Sequence, residues 1–508
     1  MKKTFIRILA LLLVAVMMMT VFVSCKKEDK GDGDESDKTT ESSGGAGYGA
    51  TTELTPAEIL GFDEQNYEGR KFKMFVNNGY PLTERDFYIE DTKVGDSTLT
   101  KAIYERNIAC QEYLGIELEL VREDGRLTAK YADSLRESIQ AETCDLDMVA
   151  MGLNTGIVGG YIDIYNNVMT MDYINLEHEW WVQDMIEQTS INNQLYFLTG
   201  DICLSTYSYI GCILANLQVA DDWDVNEDLF EIVRSGGWTL DKMFELYKKV
   251  GLDENGNDKM DPGSETYGWC IHNALVRLMW SSCGMEVIVR QADGTFALRD
   301  SLDDRMLNMA NKLITEYKDI HSNHVAEDKD MIDDFINNRT FLVSTYLGRV
   351  EDMKKNDIAS PFAILPMPKY DTNQENYISA NFAAYNAIFF PITVEDADLS
   401  AQVAEYMGWQ GKKSLVPEYY DVAMKYKSSD VTENIEMFDL IRDSLRVTPN
   451  ESYGVIEGES GGSAMSWLQL TDWNAKGGRF YDTPTSHWTT NVPAVKKAVQ
   501  NYVLKYFD

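Results

Sequence analysis

The sequence predicts an α/β protein of two lobes, and three observations carry that expectation. Residues 71–151 read in the order β-α-β-α-β, which demands a parallel sheet. Roughly 450 residues remain once the N-terminal segments are set aside, more than one core holds and enough for two lobes. No period of about 20–50 residues recurs, which excludes a solenoid.

Taken in order, Lys2, Lys3 and Arg7 form a positive n-region, and Ile8 to Val23 form an uncharged apolar run around Leu11, Leu12, Leu13 and Met17 to Met19. This is the grammar of an export signal. A permanent anchor helix is the competing reading for a run of this length; Ser24 followed by Cys25 favours cleavage. Phe22-Val23-Ser24-Cys25 resembles the lipobox of bacterial lipoproteins, with Phe22 where that family usually has Leu. The resemblance implies that residues 1–24 are a removed signal peptide and that Cys25 becomes a lipid-bearing N-terminus. With about 0.8 kcal/mol of membrane affinity per buried methylene, two acyl chains, palmitate-like in length, hold a protein stably where one does not. Residues 26–58 hold Lys, Glu, Asp, Ser, Thr and Gly without apolar periodicity. They cannot bury enough surface to offset chain entropy, so 25–58 is expected to be a disordered, lipid-anchored tether.

KFKMFVN (71–77) opens the folded part as a strand. TLTKAIYERNIACQEYLG places Leu99, Ile103, Cys110 and Leu114 on one helical face, with Gly115 as the stop. IELELV alternates Ile116, Leu118 and Leu120 with Glu117 and Glu119, as a half-buried strand does. The helix YADSLRESIQ leads to the strand DLDMVAM at 145–151. INNQLYFLTGD (191–201) reads as a hairpin-like pair of strand pieces, after which the pattern becomes mostly helical. WTLDKMFELYKKV has Thr239 as N-cap, Asp241 in the first turn, and Met243, Phe244, Tyr247 and Val250 at helical spacing. Trp238, just before the cap, is expected in the core. PAVKKAVQNYVLKYF places Pro493 at a first helical position and Val495, Val499 and Tyr502 on one face.

The chain has 82 acidic and 46 basic residues and a net charge of −36. Phosphate backbones and anionic headgroups are repelled, so nucleic acid is excluded as a partner and a neutral or cationic ligand is easier to accept. Beyond Cys25 there are Cys110, Cys144, Cys203, Cys212, Cys270 and Cys283, without a C-x-x-C pair. Disulfides are permitted outside the cell but not needed in a chain this large, and buried free thiols are the expectation.

DLDMVAMG with GGYI (145–162), INNQLYFLTGD, GGWTLDKM (236–243), the acidic run before TYGW (266–269) and EYYDVAMKYK (418–427) lie in an order that resembles the family 1 extracellular solute-binding proteins of bacterial ABC importers. The resemblance covers most of residues 68–508. It implies an α/β, two-lobe, periplasmic-binding-protein-like (type II) fold with a ligand cleft between lobes, lobe I being 68–208 plus 376–415 and lobe II 209–375 plus 416–508. It also implies that closure around the ligand is what a membrane permease recognises.

Sugars present flat C–H faces and a rim of hydroxyls, so a sugar site needs aromatic platforms and planar polar side chains. Asn77 and Asn78 follow the first strand, and Met151 and Asn154 the next parallel one, at carboxyl ends where open α/β sheets bind ligands. By the resemblance, Tyr207 and Tyr209 sit where the chain crosses between lobes, and Trp280, Tyr346, Arg349 and Trp467 occupy ligand-contact positions. DENGNDKMDPGSE (253–265) follows a calcium loop at its first, third, fifth and ninth places but has Asp258 and Ser264 where Gly and Glu belong, so a solvated turn is expected. HSNH (321–324) lacks further identifiable metal ligands, and GESGGS (458–463) lacks the Gly-Lys-Ser/Thr ending of a phosphate loop. No metal and no cofactor is expected.

The expectation is therefore a monomeric binding protein, not an enzyme, held to the outer face of the cell membrane by the lipid on Cys25. It captures a mono- or oligosaccharide for an ABC permease. The alternatives are a secreted lipoprotein glycoside hydrolase, for which Asp145 and Asp147 are candidate carboxylates, and the same fold binding a peptide or another small solute.

Overall fold

A computed structural model describes residues 54–76, 81–122, 129–156, 162–256, 265–272, 275–319, 321–325, 328–356, 358–424, 432–453, 471–472, 479–480, 484–502 and 504–506. The expected signal peptide, Cys25 and nearly all of the tether lie outside these residues. Folded chain is present from Thr55, inside the segment expected to be tether. The Thr55 hydroxyl caps helix Pro56–Leu60, Glu58 returns the bond in a capping box, and Leu60 is buried.

The first sheet has the order β13-β3-β1-β2, with β1 at Arg70–Val76, β2 at Ile116–Val121, β3 at Met148–Gly152 and β13 at Asn386–Phe389. β1 runs parallel to β2 and β3, as the β-α-β-α-β reading requires, and β13 returns antiparallel with Asn386 opposite Gly152. The crossovers are α1 (Thr98–Leu114) and α2 (Ala129–Gln140). Leu99, Ile103, Cys110 and Leu114 are the buried face of α1, as their spacing predicts. Gly115 ends the helix at φ 63°, where a Cβ would lie 2.7 Å from the Asn66 side chain, so only glycine fits. α3 (Leu153–Gly156) follows β3 directly, and α4 (Gln183–Thr189) lies further on.

INNQLYFLTGD departs from the hairpin reading. Asn192 and Asn193, both at positive φ, close a turn pairing Ile191 with Gln194, but Leu198 pairs with Ile388 and Gly200 with Trp181.

Where a mostly helical stretch is expected, the chain builds a second sheet of order β11-β4-β10-β6-β5, with β9 beside β6. Its strands are β4 (Gly211–Asn216), β5 (Gly251–Leu252), β6 (Thr266–His272), β9 (Ser322–Val325), β10 (Thr340–Tyr346) and β11 (Phe362–Pro366). Every residue of β4, β10 and β11 is buried, so these strands show no alternation to separate them from buried helix. β6, β9, β10 and β11 share one direction, and β4 and β5 run against it. The hairpin of β7 (Ile288–Arg290) and β8 (Phe296–Leu298) lies outside this sheet.

Helices around the second sheet include α5 (Leu240–Tyr247), α6 (Val276–Ser282), α7 (Asp304–Tyr317) and α8 (Arg349–Lys355). Thr239 caps α5 as expected, accepting from Lys242 N, and Trp238 is fully buried with Nε1 donating to Pro366 O at 2.8 Å. α9 (Ala397–Gln410) and α10 (Val416–Met424) both pack on α1, whereas α11 (Glu433–Asp443) packs on β11. β12 (Ser379–Ala380) pairs with β14 (Leu445–Arg446), and α12 (Pro449–Tyr453) follows. α13 (Pro484–Tyr502) begins nine residues before Pro493, which sits inside it. Trp488 and Val492 extend the buried face of Val495 and Val499 back past the proline, so packing outweighs the lost backbone donor. Five of the six described cysteines are buried, with Cys144 at intermediate exposure.

Candidate ligand-binding site

Both sheets end on the same pair of connecting segments. Residues 205–210 lead into β4 at Gly211, which lies opposite Tyr346 at the carboxyl end of β10. Residues 380–385 lead into β13 at Asn386, opposite Gly152 at the carboxyl end of β3. The two segments bond to each other: Ile210 bridges Asn381, and Phe382 N donates to Tyr209 O at 2.9 Å. The carboxyl edges of both sheets, where open α/β sheets hold ligands, thus meet at one paired crossing.

Arg85 and Asp86, just after the first strand's loop, clamp this crossing. Arg85 reaches both carboxylate oxygens of Glu351 on α8, at 2.6 and 2.7 Å, and the Ser208 hydroxyl at 3.0 Å. Burial opposes the Arg85 charge, but Glu351 more than offsets it and the pKa ends above its ordinary value. Asp86 accepts from Ser205 N at 2.8 Å, Ser205 Oγ at 2.5 Å and Asn386 Nδ2 at 2.9 Å, one crossing segment on each side. Burial pushes Asp86 up to about 6, against the pull of those donors.

Beside the clamp lies a row of aromatic rings. Tyr209 is 4.9 Å from Tyr346 and 6.2 Å from Phe382, ring centre to ring centre. The Arg349 guanidinium is 5.0 Å from the Tyr346 ring, and that of Arg277 is 4.0 Å over Phe382. Arg277 Nε is also 3.4 Å from Glu451 Oε2, both residues being buried. Burial lowers the Arg277 pKa and raises Glu451 to about 7, each partner opposing the other's shift. Glu451 sits on α12, which packs against α3 and α4 on one side and β7 on the other. Asn450 Oδ1 accepts from Val287 N at 3.0 Å and Ile288 N at 2.8 Å, and Tyr453 OH donates to Thr189 O at 2.7 Å.

No family model matches the sequence, and no curated protein does. Solved structures do match. The galacto-N-biose-/lacto-N-biose I-binding protein of an ABC transporter from Bifidobacterium longum, in complex with lacto-N-biose, superposes with TM-score 0.55 at 9% identity. The match covers 86% of this chain and 98% of that one. A cyclo/maltodextrin-binding protein complexed with maltotetraose gives TM-score 0.51 at 10% identity, covering 86% and 97%. The GacH receptor of Streptomyces glaucescens, solved without ligand and with acarbose, gives 0.50 at 10% identity with the same coverage. The fold is that of the two-lobe solute-binding proteins.

Within the solute-binding fold, Tyr209, Tyr346 and Arg349 come together in the aromatic row. Asn154 is half-buried, and its backbone N donates at 2.9 Å to the O of Ala383, the crossing residue next to Phe382. Trp280 lies one turn beyond Arg277 on α6, buried, with Nε1 lacking a hydrogen-bond partner. Two residues stand apart from the row. Met151 is in the core of the first sheet, opposite Ala387, and Tyr207 turns its hydroxyl to Asp201, a carboxyl that burial raises to about 6. Asn77, Asn78 and Trp467 lie outside the described residues. Arg277, Phe382, Asn450 and Glu451 were not singled out from sequence. The position of Arg277 three residues before Trp280, on the same helical face, is the one signal that pointed to any of them.

The other motifs lie elsewhere. Asp145 and Asp147 precede β3, at the sheet edge opposite the crossing, where they pair with Lys73 and, at 3.3 Å, with Arg70. Glu265 closes the described part of the 253–265 loop by accepting from Glu254 N and Asn255 Nδ2; residues 257–264 and GESGGS lie outside the described residues. His321 Nδ1 is 2.7 Å from Asp319 Oδ1. Among the described residues, no cluster of His, Cys, Asp and Glu has the make-up of a metal site.

Proposed function

We propose that this chain is an extracellular solute-binding protein that captures a mono- or oligosaccharide and presents it, by lobe closure, to an ABC permease, without chemistry of its own. The observation that carries this reading is the row Tyr346-Tyr209-Phe382 flanked by Arg349, Arg277 and Glu451 at the crossing. Rings suit the C–H faces of a sugar, and guanidinium and carboxylate groups suit its hydroxyl rim. The three similar structures are described in complex with lacto-N-biose, maltotetraose and acarbose. A glycosidase role for Asp145 and Asp147 is disfavoured by their ion pairs away from the crossing.

On this reading 68–208 with 376–424 is one lobe and 209–375 with the C-terminal part is the other. We place the third crossing after Met424, because α10 packs on α1. The protein is monomeric and tethered through 26–54 to lipid on Cys25, on the outer face of the cell membrane. Mass spectrometry of the native N-terminus tests the anchor: an acylated Cys25 is expected, and a chain still carrying Met1 overturns it.

A thermal-shift screen against mono- and oligosaccharides, with amino acids and peptides as controls, tests the ligand class. A ligand at about 100 times its Kd adds roughly 2.7 kcal/mol to the native state, a few degrees for a chain of this size. A shift with peptides alone turns the reading to another solute. Hydrolysed sugar in proportion to protein turns it to an enzyme.

A further inference from the structure

Three consecutive residues of α12 carry buried polar atoms without a hydrogen-bond partner: Asn450 Nδ2, both Glu451 carboxylate oxygens and Ser452 Oγ. All three residues are fully shielded from water. The Tyr385 hydroxyl, on the crossing, and Trp280 Nε1 share the same condition. Buried polar atoms in folded proteins are nearly always paired, so a concentration of exceptions in one place needs a cause. On the crossing itself Asp86 accepts from three donors, whereas Asn381 Oδ1 and Asn386 Oδ1 are buried without a partner as well.

Position supplies the cause. α12 packs against α3, which lies on β3 and β13 of the first sheet, and also against α4 and β7. Arg277 joins this helix to the aromatic row, its Nε 3.4 Å from Glu451 and its guanidinium over the Phe382 ring, so the group adjoins the candidate ligand site. The group offers acceptors on Glu451, donors on Asn450 and Trp280, and hydroxyls on Ser452 and Tyr385 that do either. Arg277 at 3.4 Å balances the Glu451 charge, so the group does not call for a cation. A mixed, charge-balanced set of donors and acceptors beside aromatic rings matches a neutral, hydroxyl-rich molecule.

We infer that Glu451, paired with Arg277, is the specificity-determining group of the ligand site: its two oxygens accept hydroxyls of a neutral sugar, with Asn450 and Ser452 completing the set. This rests on the carbohydrate reading above. The charged and titratable groups facing Glu451 are Arg277 of α6, Glu286 just before β7, and Tyr385 of the crossing. Burial holds the Glu451 carboxyl near pH 7, Arg277 lowering it and Glu286 raising it. Protonation converts one acceptor to a donor, so sugar affinity falls as pH drops through that range. If only the ionised form binds, the apparent Kd rises about tenfold from pH 8 to pH 6.

The test is calorimetric titration of the full chain and of Glu451→Gln with maltotetraose, lacto-N-biose and glucose at pH 6 and pH 8, each variant accompanied by its unfolding curve. The expected result is wild-type binding to at least one sugar, about tenfold or more weaker binding by Glu451→Gln at pH 8, and no pH dependence in that variant. Equal affinity of wild type and a normally folded Glu451→Gln overturns this inference and leaves the carbohydrate reading standing. Absence of wild-type binding to all three sugars overturns both. Should Glu451→Gln unfold, Ser452→Ala decides: about fivefold weaker binding supports the assignment, and unchanged binding overturns it.

Discussion

Asp86 and Glu451 are both carboxylates shut away from water where the two lobes meet, and their surroundings could hardly differ more. Asp86 is held by three donors from two crossing segments. Glu451 has a guanidinium 3.4 Å away and no hydrogen bond. A third buried carboxylate, Glu405 on α9, is more saturated still. Its Oε1 accepts from Asn175 N at 2.8 Å and Trp181 Nε1 at 3.0 Å, and its Oε2 accepts from Trp180 Nε1 at 3.0 Å and lies 2.8 Å from His178 Nδ1. Saturated carboxylates fix chain segments in place, and their protein partners use up their capacity. An unsaturated one keeps its capacity for something that arrives.

That contrast can be broken most sharply at Glu405. Glu405→Ala strands three donors and the His178 ring around a cavity, and we expect a loss of about 3–5 kcal/mol of folding stability, read from urea unfolding. Asp86→Asn keeps the shape but turns a donor toward donors, and about 1–3 kcal/mol is expected. A stability loss at either site below about 0.5 kcal/mol would remove the distinction between holding and receiving carboxylates.

Proton linkage sharpens the comparison further. Unfolded Asp and Glu release protons near pH 4. In the fold, burial above all raises Asp86 and Asp201 to about 6 and Glu286 and Glu451 to about 7. The native state therefore holds these protons more tightly. Its stability from these four groups is complete below about pH 4 and is lost as pH rises through 6 to 7. The urea midpoint of the ligand-free protein is expected to be lower at pH 8 than at pH 6, and a higher midpoint at pH 8 would contradict the burial assigned to these groups.

How far the sequence reveals this arrangement depends on the kind of signal each residue leaves. The first sheet is legible because β1, α1 and β2 each switch period cleanly, and α1 buries Leu99, Ile103, Cys110 and Leu114 as spaced. The second is not, because GCILAN, TFLVSTY and FAILP are buried on both faces and lose the alternation that marks a strand. The start of α13 is hidden because a proline reads as a helix start, and only the tertiary burial of Trp488 and Val492 extends the helix behind Pro493. At the crossing, family order points to Tyr209 and Tyr346, whose rings lie 4.9 Å apart. Arg277 and Glu451 are 174 positions apart in sequence, and nothing local announces that they meet. Met151, at a carboxyl-end position on its strand, packs in the core and stands apart from the aromatic row.

The smallest effect is expected at the 253–265 loop. Glu265, the carboxylate nearest the place where a calcium loop needs its bidentate ligand, already accepts from Glu254 N and Asn255 Nδ2. Adding a chelator of divalent cations should leave the melting temperature where it was, and a clear drop would show that this carboxylate serves a cation after all.

Small-angle scattering of the full chain, with and without a saturating sugar from the thermal screen, decides whether the ligand lies between two closing lobes. If the paired crossing at Tyr209 and Phe382 is a hinge and the aromatic row is its ligand site, the radius of gyration falls on binding, as two lobes closing over a ligand require. Sugar binding with an unchanged radius would contradict the account, because the ligand would then occupy a site that does not lie between the lobes.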